Sequence, residues 1–395
     1  MRVSLGAAAL VLAIAAPIGA ADRPVRKPLA SNEREAVLEL MKAVDLAQDT
    51  DVVSQGDLAW QTHVLKSIHA AYVPFQLGLG ELAGNAKSAA MYVRVVSRHD
   101  GYRSTDETSA LREWVVQRTP VAPPPLETVA IGPGEMPVGL ATRSTRRAIA
   151  APAEASAILS LRERQYEREK SAAGAPERRG GTALLDPTRF PFEEYYFFDI
   201  KGPRIERALA VPPGEYDVFI AFVDRKRLKT STPTVVRHTI VVPDFWNLEL
   251  HLSSLILVSD VHTRKAALPA REQAEHPYTW GDTEVVPSPS TIFSRNDVLS
   301  IVYQICNYGA PDTDVVADYN FYHQVNGKRV FFNHTRPQEL SNADLPVADA
   351  WDTQGFAMQQ LPLDPFPPDT YELEVVVKDR LTRSSTTESV TFTVK

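Results

Sequence analysis

Two stretches of the chain share a frame that few folds can use. Residues 212–225 read PPGEYDVFIAFVDR and residues 367–380 read PPDTYELEVVVKDR. Each opens on a proline pair, places a tyrosine four residues after the first proline and closes on Asp-Arg. Tyr216, Val218, Ile220 and Phe222 alternate in the first stretch, and Tyr371, Leu373, Val375 and Val377 in the second. Side chains two apart on a strand share a face, so each stretch predicts a turn feeding a strand with one buried face. Proline presets the turn backbone. The tyrosine at the strand entrance can bury its ring while its hydroxyl reaches nearby backbone, as in a tyrosine corner. A further strand follows each stretch, at residues 234–242 and 389–394. The expectation is a mainly β protein built of two tandem immunoglobulin-like antiparallel β-sandwiches.

The rest of the sequence fits this plan. Val37, Leu40, Met41 and Val44 recur at helical spacing, and Asn32 with Glu35 offers a capping-box-like start, so a short N-terminal helix is expected, docked on the first sandwich. Residues 71–77 and 90–97 are β-branched and aromatic, as are residues 192–200. Between residues 119 and 181 the chain is rich in Pro, Ala and Arg and poor in aromatics, which predicts a low-complexity insertion with an exposed charged helix at 153–170. Farther on, residues 298–307 predict a core strand, and residues 317–324 and 329–333 flank Asn326-Gly327, a strong hairpin signal. Residues 248–258 alternate at first and then become continuously apolar. The divisions that follow are 1–21, 22–56 (linker and helix), 57–243 (first sandwich, carrying the insertion) and 244–395 (second sandwich).

The ends and composition point to export. Arg2 precedes an apolar run over residues 5–18, and Gly19, Ala20 and Ala21 stand before the charged Asp22. That order predicts a signal peptide over residues 1–21, followed by a mature chain with no membrane span, in the periplasm or outside the cell. Cys306 is the single cysteine, so no intramolecular disulfide is possible, and its apolar neighbours predict a buried, inert thiol. A net charge of −7, from 42 basic and 49 acidic residues spread along the chain, argues against a nucleic-acid partner.

No catalytic signature emerges. H-E-x-x-H, G-x-S-x-G and the phosphate-binding glycine loop are all missing, and Gly78, Gly80 and Gly84 are spaced wrongly for a dinucleotide fingerprint and suit a β-turn. The nine histidines are scattered, with His63 and His69 on a possible helical turn near Trp60. Neither a cofactor nor a metal is expected. Asp312, Asp314 and Asp318 form an acidic loop group that could be asked to hold calcium, but it lacks EF-hand spacing and reads better as a solvated turn. Tyr278 and Trp280, in a predicted loop, are the only ligand-binding candidates, able to stack on a sugar if exposed, although a loop aromatic more commonly plugs the end of a sandwich and core or hinge packing is the favoured reading. Trp246 falls near the domain junction.

Some segments carry a resemblance. Trp60, His63, Leu65, Lys66 and Tyr72-Val-Pro-Phe75, then Met91-Tyr-Val-Arg-Val95, resemble a segment of exported bacterial proteins of acidobacterial type. Residues 252–261, LSSLILVSDV, with Pro277-Tyr-x-x-Gly281, resemble the β-sandwich tails of GWxTD-domain and VWFA-related proteins, although the GWxTD motif itself is missing. The resemblance implies an exported β-rich protein and transfers no catalytic residue. The function expected is that of a non-catalytic binding or scaffold protein whose partner is another envelope or extracellular protein. The alternative is a carbohydrate-binding or carbohydrate-active module using Tyr278 and Trp280, with a glycan as partner.

Overall fold

The computed structural model describes residues 29–50, 58–67, 70–98, 190–226, 231–268, 272, 274–325, 327–345, 347 and 353–395. The expected signal peptide and insertion, the helix at 153–170 and His69 lie outside the described residues.

Helix α1 (Ser31–Thr50) leads into the first sandwich. Its strands are β1 (Trp60–Thr62), β2 (Leu65–Lys66), β3 (Ala71–Gly78), β4 (Ser88–Ser97), β5 (Phe192–Asp199), β6 (Arg204–Val211), β7 (Gly214–Asp224) and β8 (Thr234–Val242), with the single-turn α2 (Leu82–Asn85) after β3. One sheet places β1 and β2 in line on one side of β3 and β6 on the other, and the second runs β5-β4-β7-β8. All these pairings are antiparallel. Val73, Phe75 and Leu77 of the first sheet meet Met91, Val93, Val218, Ile220 and Phe222 of the second in one core.

The strands of the second sandwich are β9 (His251–Leu252), β10 (Ile256–Thr263), β11 (Thr279–Trp280), β12 (Thr283–Pro287), β13 (Ile292–Phe293), β14 (Val298–Cys306), β15 (Asp314–Val325), β16 (Lys328–His334), β17 (Gln338–Ser341), β18 (Gln354–Pro362), β19 (Asp369–Asp379) and β20 (Ser384–Val394). They form a sheet β11-β12-β10-β14-β18 with β9 beside β14, and a sheet β13-β20-β19-β15-β16 with β17 beside β15. Leu257, Leu299, Ile301 and Tyr303 face Ala317, Tyr319, Phe321, Leu373 and Val375 across the core. Inside it the Tyr303 and Tyr319 hydroxyls are 2.8 Å apart, so neither polar tip is left dry. The hairpin falls where the sequence places it: Val325 sits opposite Lys328, and Gly327 takes φ +76°, a backbone state that glycine enters without a steric penalty.

Both tyrosines behave as their frame requires. The Tyr216 hydroxyl donates to the Pro212 carbonyl at 2.9 Å, and the Tyr371 hydroxyl donates to the Pro367 carbonyl at 2.8 Å. The aspartate that ends each frame is buried and accepts backbone N–H groups of the next turn. Asp224 takes Lys226 at 2.9 Å, and Asp379 takes Leu381 at 2.8 Å.

Where a strand is apolar throughout, both of its faces are covered. Ala90, Tyr92, Phe219, Ala221 and Val223 turn away from the first core and lie under α1, against Ala36, Leu40, Val44 and Ala47. The helix begins near the expected place, but Glu33 rather than Glu35 reaches back, accepting the Ala30 N–H at 3.2 Å. The run 248–258 is interrupted at Ser253 and Ser254, which separate β9 from β10. Ile256 and Val258 then face outward onto Leu65 and Tyr72 of the first sandwich. His63 lies in the extended segment between β1 and β2, not on the helical turn expected for it, because Thr62 and Leu65 pair with opposite halves of β3.

Candidate functional site

Three surfaces decide what this chain can present: the junction between the sandwiches, the face under α1 and the face of the second sandwich that α1 has no counterpart on. At the junction an apolar patch is framed by hydrogen bonds. Leu65 and Tyr72 press on Ile256, Val258, Val302 and Phe356. Beside them the Lys66 N–H donates to Gln304 Oε1 at 2.7 Å, and Gln304 Nε2 returns a bond to the Lys66 carbonyl at 3.1 Å. Lys66 Nζ donates to Asn307 Oδ1 at 2.7 Å, and Asn307 Nδ2 reaches the Phe245 carbonyl at 2.9 Å. The Val64 N–H donates to Ser254 Oγ at 2.9 Å. Cys306 is buried and packs with residues of the first core, and Trp246 lies at its rim. Such reciprocal bonding between buried groups fixes one register between the two sandwiches.

His63 sits in the same junction. It is 5% exposed, and its Nδ1 lies 2.9 Å from the Tyr278 hydroxyl, which also donates toward the Pro74 carbonyl at 3.3 Å. Burial pushes its imidazole down to about 4, so the ring is neutral at pH 7. Close to Tyr278, Gln76 Nε2 donates to Glu206 Oε1 at 2.6 Å, while the buried Gln76 Oε1 has no hydrogen-bond partner among the described residues. Burial raises the Glu206 carboxyl; the Gln76 bond opposes that rise and the nearby Glu284 charge adds to it. Glu284 itself is held by Arg264 at 2.6 Å and His276 at 3.2 Å.

This geometry places the two loop aromatics in the packing of the junction. Tyr278 is 2% exposed, and its hydroxyl is occupied by His63 and Pro74. Trp280 stacks on Phe356, centroids 4.7 Å apart, and its ring is inclined 74° to that of Tyr278. The two rings form no flat exposed platform, because they seal the junction. The acidic group is likewise divided. Asp318 pairs with Lys378 at 2.8 Å and Asp314 with Arg380 at 3.2 Å, which leaves these carboxylates neutralised by cations of β19 and its end. Among the described residues no group of three or more His, Cys, Asp or Glu is placed to hold a metal ion, and no helix is long and apolar enough to cross a membrane.

The face under α1 contains a buried charge that the sequence reading passed over. Arg94, 1% exposed, donates through Nε to the Tyr92 hydroxyl at 2.8 Å, pairs with Asp45 of α1 and lies 3.7 Å from the buried Glu193 of β5. The Tyr92 hydroxyl in turn donates to Glu193, and the guanidinium lies over the Phe190 ring at 4.3 Å. A lone arginine inside the apolar run of β4 is the signal that could have found this site, since a charge there needs partners.

On the outward face of β15, β19 and β20 the chemistry is different. Arg329 bridges Glu372 and Glu374 at 3.1 and 2.6 Å and stacks over the Tyr322 ring at 3.4 Å. Val316, Asp318, Arg336, Glu339, Lys378 and Arg380 line a shallow concavity at the other end. Along the outer strand β16, Val330 and Phe331 are 40% and 54% exposed, and Val325 beside them 42%.

No family model matches the chain, and none of the curated proteins is similar to it. Among solved structures it is similar to a β-glucuronidase of Bacteroides uniformis, at 8% identity over 82% of this chain and 26% of that one, with a TM-score of 0.23. It is also similar to red sea bream transglutaminase (7% identity, 90% and 34% coverage, TM-score 0.20) and to the trypsin-activated alpha-2-macroglobulin of Escherichia coli (9%, 86% and 18%, TM-score 0.19). The chain spans about a third or less of each. Similarity at this level assigns neither an activity nor a ligand.

Proposed function

We propose that the protein is an exported, non-catalytic binding or scaffold protein, built of tandem sandwich units, that engages another envelope or extracellular protein through its second sandwich. The observation that carries this reading is the outer face of β15, β19 and β20, which no described residue covers as α1 covers the first sandwich and which continues into the apolar edge of β16. An edge strand offers unpaired backbone groups, and natural proteins usually guard them. On the other side of this sheet β20, which pairs with the short β13 only at Thr393 and Val394, is guarded: its Glu388 lies on the inward-facing row with Val390 and Phe392, and burial raises its carboxyl. On β16 the corresponding places are apolar, and the exposed Lys328 at its start favours an acidic partner strand. The signal-like residues 1–21 and the resemblance to acidobacterial exported proteins and to the tails of GWxTD-domain and VWFA-related proteins support export.

The test is crosslinked capture from the cell envelope with tagged residues 22–395. One specific partner is expected, lost in a Val330→Lys, Phe331→Asp double variant and kept in Leu46→Ala, which changes an exposed residue of α1. A chain that captures nothing, or captures the same partner with the β16 variant, contradicts the reading.

A further inference from the structure

We infer that the junction between the two sandwiches is an acid-sensitive joint, in which protonation of His63 releases the turn carrying Tyr278 and opens the contact without unfolding either sandwich. The argument starts from the surroundings of the ring. His63 is buried between the β1–β2 segment and the Pro277–Trp280 turn, and its described polar contact is the Tyr278 hydroxyl at 2.9 Å. No ion pair to His63 is formed among the described residues. Protonated in place, the ring would donate to that hydroxyl but would carry a desolvated charge with no carboxylate to neutralise it. Water reaches the ring most cheaply if the Tyr278 turn moves, because that turn is tied to the first sandwich by few bonds: Tyr278 to His63 and Pro74, and the Tyr72 hydroxyl to the Pro277 carbonyl at 2.8 Å. The core of the second sandwich lies elsewhere, and the first core meets the contact through Cys306, which β14 of the second sandwich inserts among its residues.

The other groups around the joint set its limits. From the first sandwich, Tyr72, Glu206, Arg207 and Lys66 face this region, and from the second Tyr278, His276 and Glu284. Lys66 is bonded to Asn307, and Glu284 is held by Arg264 and His276. Glu206 acts against opening: its raised carboxyl takes up a proton as pH falls, which relieves the closed state. His63 dominates because its preference is larger, its ring being depressed from 6.5 to about 4. An open joint in which the ring has its ordinary value then gains on the closed one by roughly 50- to 100-fold between pH 7.5 and 4.5.

Cys306, buried in the junction and the single cysteine of the chain, reports the opening. The full chain is treated with 4,4′-dithiodipyridine, a thiol reagent that works in acid, at pH 7.5 and 4.5, and each rate is divided by that of the urea-unfolded chain at the same pH. The relative rate is expected to rise by tens of fold at pH 4.5 while the β-sheet circular dichroism is unchanged. His63→Gln and His63→Phe, two side chains of different shape that do not titrate, should each abolish the rise. A relative rate that does not change with pH in the native chain overturns the inference, as does a rise that persists in whichever variant folds. A loss of sheet signal together with the labelling overturns it too, since that is global unfolding rather than a joint.

Discussion

On β7 the residues turned away from the first core are Phe219, Ala221 and Val223, whereas at the matching places of the second frame, on β19, stand Glu374, Val376 and Lys378. The inward rows are apolar in both, with Tyr216, Val218, Ile220 and Phe222 answering Tyr371, Leu373, Val375 and Val377. The two tyrosine hydroxyls make the same bond to a proline carbonyl. What differs is the covering. α1 lies on the first face and buries Phe219 and Val223 to 2% and 3% exposure, while the second face carries Arg329 among its glutamates and Lys378 on Asp318. The inward row makes a sandwich, and the outward row records what lies on top. An apolar outward row calls for a helix; a charged one is stable in water and free to meet a partner.

The largest effect expected from disturbing this contrast comes from Arg94. Replacing it by methionine strands Glu193 without its cation, and urea unfolding should show a loss of about 3–5 kcal/mol. Leu40→Ala, at the buried side of α1, should cost about 3 kcal/mol by the same measurement, whereas Leu46→Ala, 64% exposed, should be close to silent. Acidification should come next. The His63 ring has a lower value folded than unfolded, so both states are neutral above pH 6.5 and the unfolded chain binds the proton first as pH falls. Stability is therefore lost between pH 6.5 and 4, by about 3 kcal/mol at most, with the raised Glu206 carboxyl reducing the loss. Denaturation midpoints taken every half pH unit check this. Tyr216→Phe and Tyr371→Phe should each cost about 1 kcal/mol, and they should match one another if the two corners are equivalent. Smallest of all, Lys378→Ala removes a partly exposed ion pair and should change stability by less than about 1 kcal/mol.

The inward rows, the corner tyrosines and the hairpin at Gly327 were legible in the sequence because each depends on residues within one short segment. Period-two alternation names a buried face without reference to any distant residue. The junction was not legible in this way. Lys66 meets Gln304 and Asn307, and His63 meets Tyr278, only because two sheets stack, and no local pattern encodes that meeting. Tyr278 and Trp280 show the consequence: loop aromatics that could have stood out to stack on a sugar instead close the contact with Phe356. Asp314 and Asp318 read as a loop cluster, yet they belong to the first half of a strand, where Arg380 and Lys378 from β19 and its end pair with them. The continuous apolar run of β4 did hold a readable hint, since a strand with both faces apolar must be covered twice.

Phe219→Ala and Glu374→Ala, compared side by side by urea unfolding, test the contrast between covered and uncovered faces most directly, because the two residues hold the same place in the two frames. Phe219→Ala should lose about 3 kcal/mol or more, as a buried ring under α1 must, and Glu374→Ala less than about 1 kcal/mol. Equal losses at the two positions would contradict the account, since they would mean that the outward row of the second sandwich is as deeply engaged as that of the first.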